Sequence, residues 1–229
     1  MDFSGKQVVI TGGTGALGTA VVGGLLAVGA RCTVPYQHEA EARRFPHAGD
    51  PNVKLIAVAD LADEAMVGRV YDGLSLWASI HIAGGFAAGK VAETGHGALM
   101  AQLESNLVSC FLCCHAAVNA MSGGGRIVNV AARPALEWRA GAGMTAYTVA
   151  KTGVAALTVA LAEEVAKDGI LVNAVAPSIM DTAANRKAMP QADFDKWPKV
   201  EEVAATIMFL ASPDNKVTRG AIVPVYGKS

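Results

Sequence analysis

The stretch QVVITGGTGALG, residues 7–18, runs from a β-branched segment through a glycine-rich turn into an apolar helical pattern. That succession reads as the opening βα unit of a sheet that binds a nucleotide at the carboxyl ends of its strands. Gly12, Gly15 and Gly18 allow a tight turn and close backbone approach, and the helix that starts there leaves N–H groups free to meet a pyrophosphate. Thr14, Ala16 and Leu17 complete the expected cradle.

Outward from this unit, apolar runs alternate with helical stretches. Strands are read at 7–11, 31–36, 53–59, 79–84, 126–131, 170–176 and 221–226, and helices at 16–28, 39–45, 63–72, 98–120, 145–167 and 200–211. Each strand run is continuously apolar rather than alternating, as in a parallel sheet covered on both faces. The expected architecture is therefore α/β, a single doubly wound Rossmann-type domain over 1–229, with helices on both faces of the sheet. Segment 178–199 lacks a regular pattern and reads as a substrate lid above the strand ends.

A chain of 229 residues buries a sizeable core without disulfides or metal. A net charge of -1, with 17% of residues charged, leaves no electrostatic footprint for nucleic acid or an anionic membrane and favours a small-molecule partner. Glycines interrupt the uncharged run between Lys6 and Arg31, so it reads as strand, loop and helix rather than a membrane span. Asp2 behind Met1, with no cleavage site after a basic start, argues against a secretory signal and for a cytoplasmic chain. Cys32, Cys110, Cys113 and Cys114 are few for a disulfide framework, and CFLCCH (110–115) reads as buried packing rather than a metal site.

At the end of the second strand, an acid would select a free ribose 2′-hydroxyl and a basic group a 2′-phosphate. Tyr36, Gln37 and His38 stand there instead, and Arg43 and Arg44 read as an exposed helix face, which leaves NAD and NADP as alternatives. Tyr147 and Lys151, in TAYTVAKTGV, are one helical turn apart on one face. A nearby ammonium favours the phenolate, so the pair is expected to lower the tyrosine pKa and run acid chemistry near neutrality.

These motifs, in this order, resemble the short-chain dehydrogenase/reductase family along the whole chain. The glycine loop, Asp60 in VADL, HIAGG at 81–85, Asn106 in SNLVSCF, YTVAK at 147–151 and NAVAPSIMDT at 173–182 carry the resemblance. It implies Tyr147 as proton donor, Lys151 on the nicotinamide ribose and Asn106 supporting a proton-relay water. It also implies that Tyr36, Gln37, Asp60, Leu61, Ala83, Gly84, Gly85, Pro177, Ser178, Ile179 and Thr182 line the cofactor. The apolar helices 98–120 and 145–167 would pair across a homodimer or homotetramer.

Three departures stand out: Ala16 at the usual middle glycine, HIAGG for the usual paired asparagines, and no serine upstream of the tyrosine to polarise a carbonyl. Where that hydroxyl is expected, the chain has Ala131, Ala132 and Pro134. The quinonoid dihydropteridine reductases manage without it, and AGGFAAG (83–89), RPAL, GAGMTAYTVAK and DTAANRKAMPQADFDKW (181–197) resemble that branch. A quinonoid ring spreads the charge brought by a hydride, so a dedicated donor matters less. Phe86, Ala132, Trp138 and Tyr147 are the expected substrate contacts.

The expected activity is hydride transfer from NAD(P)H to a small organic substrate, with a dihydropteridine-like acceptor as the sharper form. A ketone or diketone reductase or alcohol dehydrogenase is the alternative, and a nucleotide-binding sensor without catalysis is a second one.

Overall fold

The computed structural model describes all residues from Met1 to Ser229. Seven strands form one parallel sheet: β1 (Gln7–Thr11), β2 (Arg31–Tyr36), β3 (Val53–Ala57), β4 (Leu76–His81), β5 (Gly125–Val130), β6 (Ile170–Pro177) and β7 (Ile222–Val225). Their order across the sheet is β3-β2-β1-β4-β5-β6-β7. The order reverses between β1 and β4, which opens the crevice where such sheets take ligands.

Nine α-helices accompany the sheet: α1 (Ala16–Ala27), α2 (Glu39–Arg44), α3 (Glu64–Tyr71), α4 (His96–Leu103), α5 (Ser109–Ala120), α6 (Arg133–Leu136), α7 (Thr145–Glu164), α8 (Ala183–Ala188) and α9 (Val200–Ala211). Side chains alternate faces along each strand. Thus Val8 and Ile10 join the core under α1 and α9 with Val21, Leu25 and Ile207, while Val9 joins Val67, Val70 and Cys113 under α3, α5 and α7. Removing one of these fully buried side chains, such as Ile127→Ala, costs about 2–5 kcal/mol.

The same alternation sends Ser79, His81 and Asn129 to the face under α5 and α7, where they form a buried polar network. Asn129 Oδ1 only accepts, so His81 Nδ1 carries the proton of their 2.8 Å bond, and His81 Nε2 lies 2.7 Å from Ser79 Oγ. Cys114 Sγ lies 3.5 Å from His81 Nδ1, and Asn129 Nδ2 donates to Thr158 Oγ1 at 2.9 Å. The histidine beside the cysteines is thus His81 from the sheet, not the sequence neighbour His115, which lines a separate surface groove with Glu64 and Asn119. All four cysteines are buried free thiols, and burial pushes Cys32 and Cys113 up to about 12.

Strand β4 occupies 76–81 rather than the expected 79–84. Its last sheet-like bond runs from Ile82 N to Thr11 O, after which Ala83–Gly85 leave the sheet to wall the crevice. The 178–199 segment is more ordered than its composition implies. Thr182 caps α8 by accepting from Asn185 N, Arg186 grips Asp181 through two bonds, and Phe194 packs on Trp197.

Candidate functional site

Two adjoining cavities occupy the carboxyl ends of β1, β2, β4, β5 and β6. The larger, about 590 Å³, begins at the glycine loop. Gly12 has φ +67°, and a Cβ there would approach Ala83 N to 2.7 Å, so this turn requires glycine. A Cβ on Gly18 would run into the backbone of Gly12 and Gly13, so the third glycine lets α1 dock on its own loop. Gly15, the N-cap of α1, has no side-chain cap and lies in the cavity wall, leaving the first helical N–H groups open to an anion.

Of the residues expected from the sequence to bind a cofactor, Gly12, Thr14, Gly15, Ala16, Leu17, Gly18, Tyr36, Gln37, Asp60, Leu61, Ala83, Gly84 and Gly85 line this cavity. Glu41, which sequence reasoning missed, lines it too and accepts a 3.3 Å bond from Thr14 Oγ1. Tyr36 turns its hydroxyl to Glu39 at 2.8 Å, and that bond raises its pKa. Arg43 and Arg44 are exposed and do not line the cavity.

The smaller cavity, about 210 Å³, shares Leu17, Ile82, Gly84 and Gly85 with the larger one. Phe86, Asn106, Val130, Ala131, Ala132, Tyr147, Lys151, Pro177, Ser178 and Met180 complete its walls. Tyr147 and Lys151 project from the first two turns of α7. Asn106 sits in a π-helical turn, Glu104–Val108, between α4 and α5. Such turns widen a helix and are frequent at functional sites.

Asn106 Nδ2 donates to the carbonyls of Gly85 (2.9 Å) and Gln102 (3.0 Å), whereas its Oδ1 is buried with no partner. A Cβ on Gly84 would touch Asn106 Oδ1 and Lys151 Nζ alike, at 2.5 and 3.4 Å, so both polar ends converge on one glycine. An unmatched acceptor beside an ammonium suits a bridging water.

Lys151 is buried and donates from Nζ to Val130 O at 2.8 Å. Burial lowers its pKa to about 8. Burial also raises Tyr147 to about 12, a correction to the sequence expectation that the lysine would pull the phenol down. The reason is geometric: the ammonium is held by the end of β5 and makes no bond to the phenol. Phe86, 63% exposed, meets Tyr147 edge to face at a centroid distance of 5.1 Å and forms the outer wall.

At the missing serine position, Ala131 and Ala132 present only methyl groups to the cavity. The sole hydroxyls in its walls belong to Tyr147 and Ser178, and Ser178 Oγ donates to Tyr226 O at 3.0 Å. Three predicted residues lie outside both cavities. Ile179 is exposed, Thr182 caps α8, and Trp138 lines a separate surface depression with its ring nitrogen donating to Ala135 O.

Known proteins match this chain over most of its length. The family model described as enoyl-(acyl carrier protein) reductase matches residues 13–227. A subunit of (2S)-[(R)-hydroxy(phenyl)methyl]succinyl-CoA dehydrogenase from Thauera aromatica is 34% identical over 189 residues, covering 76% of this chain and 75% of that protein. A solved oxidoreductase of the short-chain dehydrogenase/reductase family from Burkholderia thailandensis superposes with a TM-score of 0.88 at 26% identity, over 97% of this chain and 91% of that one. ElxO with NADP bound gives 0.88 at 25% identity, covering 97% of each chain.

Proposed function

Because the chain belongs to the short-chain dehydrogenase/reductase family, we propose that it is an NAD(P)-dependent oxidoreductase whose acid is Tyr147, acting on a small organic substrate in the cavity walled by Phe86 and Ala132. One observation carries the reading: Tyr147, Lys151 and the unmatched Asn106 Oδ1 meet in a cavity that shares walls with the glycine-loop cavity. The residues fit a nicotinamide dinucleotide, with Gly12, Gly15 and the start of α1 for its pyrophosphate and Asp60 and Leu61 for its adenine. When bound, that cofactor supplies or takes the hydride.

The chain's own groups manage the proton and the geometry. With burial raising it to about 12, Tyr147 holds its proton at neutral pH, and passing that proton from its hydroxyl to the reduced substrate requires a nearby cation to stabilise the phenolate. Lys151 offers positive charge behind it, and a water between Lys151 Nζ and Asn106 Oδ1 would return the proton. Pro177, Ser178 and Met180 form the side nearest 178–199, which acts in this reading as the lid.

Ala131 and Ala132 narrow the substrate. Without a second hydroxyl donor, an oxyanion on one carbonyl is poorly stabilised, which favours acceptors that delocalise the incoming charge. A quinonoid dihydropterin is such an acceptor, whereas hydride addition to a ketone or diketone leaves a localised alkoxide on one oxygen. The free, buried cysteines suit a reducing cytoplasm, and the protein works as a homo-oligomer through α5 and α7.

The test is reduction of a quinonoid dihydropterin, a diketone and a simple ketone with NADH and NADPH, repeated with Tyr147→Phe. The variant is expected to lose at least ~10²-fold in kcat while binding cofactor as before. Near-normal turnover would remove Tyr147 from the role, and a preference for the ketone or the diketone would overturn the delocalised-acceptor reading.

A further inference from the structure

We infer that Glu41 makes this chain select the dinucleotide with a free adenosine ribose over its 2′-phosphorylated form; the inference rests on the cofactor reading above. In doubly wound folds the ribose lies between the glycine loop and the end of β2, and a carboxylate there accepts from the ribose hydroxyls. Tyr36 occupies the strand-end position usually held by that acid, and its hydroxyl is bonded to Glu39. Helix α2 then folds back and sets Glu41 into the wall of the same cavity, against Thr14 of the glycine loop.

Three observations favour the unphosphorylated ribose. The Glu41 carboxylate accepts a single bond, from Thr14 Oγ1, so most of its acceptor capacity is free for hydroxyl donors. The charged residues lining the cavity are Glu41 and Asp60, both acidic, with no lysine, arginine or histidine among them. The nearest basic pair in sequence, Arg43 and Arg44, is exposed and outside the cavity wall. A phosphate dianion placed here would meet like charge and no counter-charge, an arrangement that discriminates strongly against a ligand.

Equilibrium titration of the purified protein with NADH and NADPH, read by nucleotide fluorescence, tests this without catalysis. NADH is expected to bind at least ~10-fold more tightly, and Glu41→Gln to shrink that ratio by about tenfold through better NADPH binding and weaker NADH binding. Glu41→Arg is expected to reverse the preference. Tighter NADPH binding by the unaltered protein, or a ratio unmoved in both variants, would overturn the role of Glu41 while leaving the oxidoreductase reading intact. Failure to bind either nucleotide would instead overturn the cofactor reading, and this inference with it.

Discussion

Lys151 sits in an environment that costs the fold and serves the site. An ammonium sealed under β5 with a single carbonyl partner pays a desolvation penalty, which is why its pKa falls to about 8 from the ordinary 10.5. In that window the unfolded chain binds the proton more tightly than the native one, so stability rises as pH climbs from about 8 to about 10.5 and is lost as pH falls through about 8. Lys151→Met removes this dependence. Denaturant melts of the two proteins are expected to favour the variant most at pH 7, with the gap closing by pH ~10.5. A pH-independent gap would mean that the lysine is solvated in the native state. The spacing of Tyr147 and Lys151 is legible in the sequence, but their electrostatics are not, because the partner that holds the lysine is the carbonyl of Val130, from another element.

At the scale of elements, the glycine loop divides its labour unevenly. A methyl on Gly18 would collide with the Gly12 and Gly13 backbone, whereas one on Gly15 would meet nothing closer than Gly12 O at 3.4 Å. Gly18→Ala is therefore expected to lower the melting temperature by several degrees and abolish nucleotide binding, while Gly15→Ala melts within about two degrees of the unaltered protein. Equal melting temperatures would show that the loop relaxes without cost. The loop was readable because its glycines, the strand before it and the helix after it are contiguous. Periodicity likewise revealed all seven strands, since each is a short apolar run bounded by turn residues. What escaped depends on contacts remote in sequence. His115 follows Cys114 directly and so points about 100° away around the helix, while His81 arrives from β4. Glu41 escaped because its role depends on α2 turning back over the loop, and an acid on a short exposed helix carries no such signal by itself.

At the scale of the whole molecule, the sheet's two faces are closed but two helices are not. The windows in His96–Ala120 and Thr145–Glu164 that are apolar enough to cross a membrane are only 33% buried. Phe111 is 53% exposed, Val149 50% and Val159 45%. Both helices nevertheless pack on the sheet, α5 against β4 and α7 against β6, so a bilayer would have to strip them from their core. A second copy would cover the outward faces without that loss, and exposed apolar side chains on core helices are what a homo-oligomer buries. Val149 lies between Tyr147 and Lys151 on α7, so a partner seated there also braces the turn that carries the acid. Light scattering is therefore expected to give a dimer or tetramer, and Phe111→Glu to give a folded monomer with kcat reduced at least ~10-fold because α7 loses its outer support. A wild-type monomer would refute the interface, and a monomeric variant with full activity would separate assembly from catalysis.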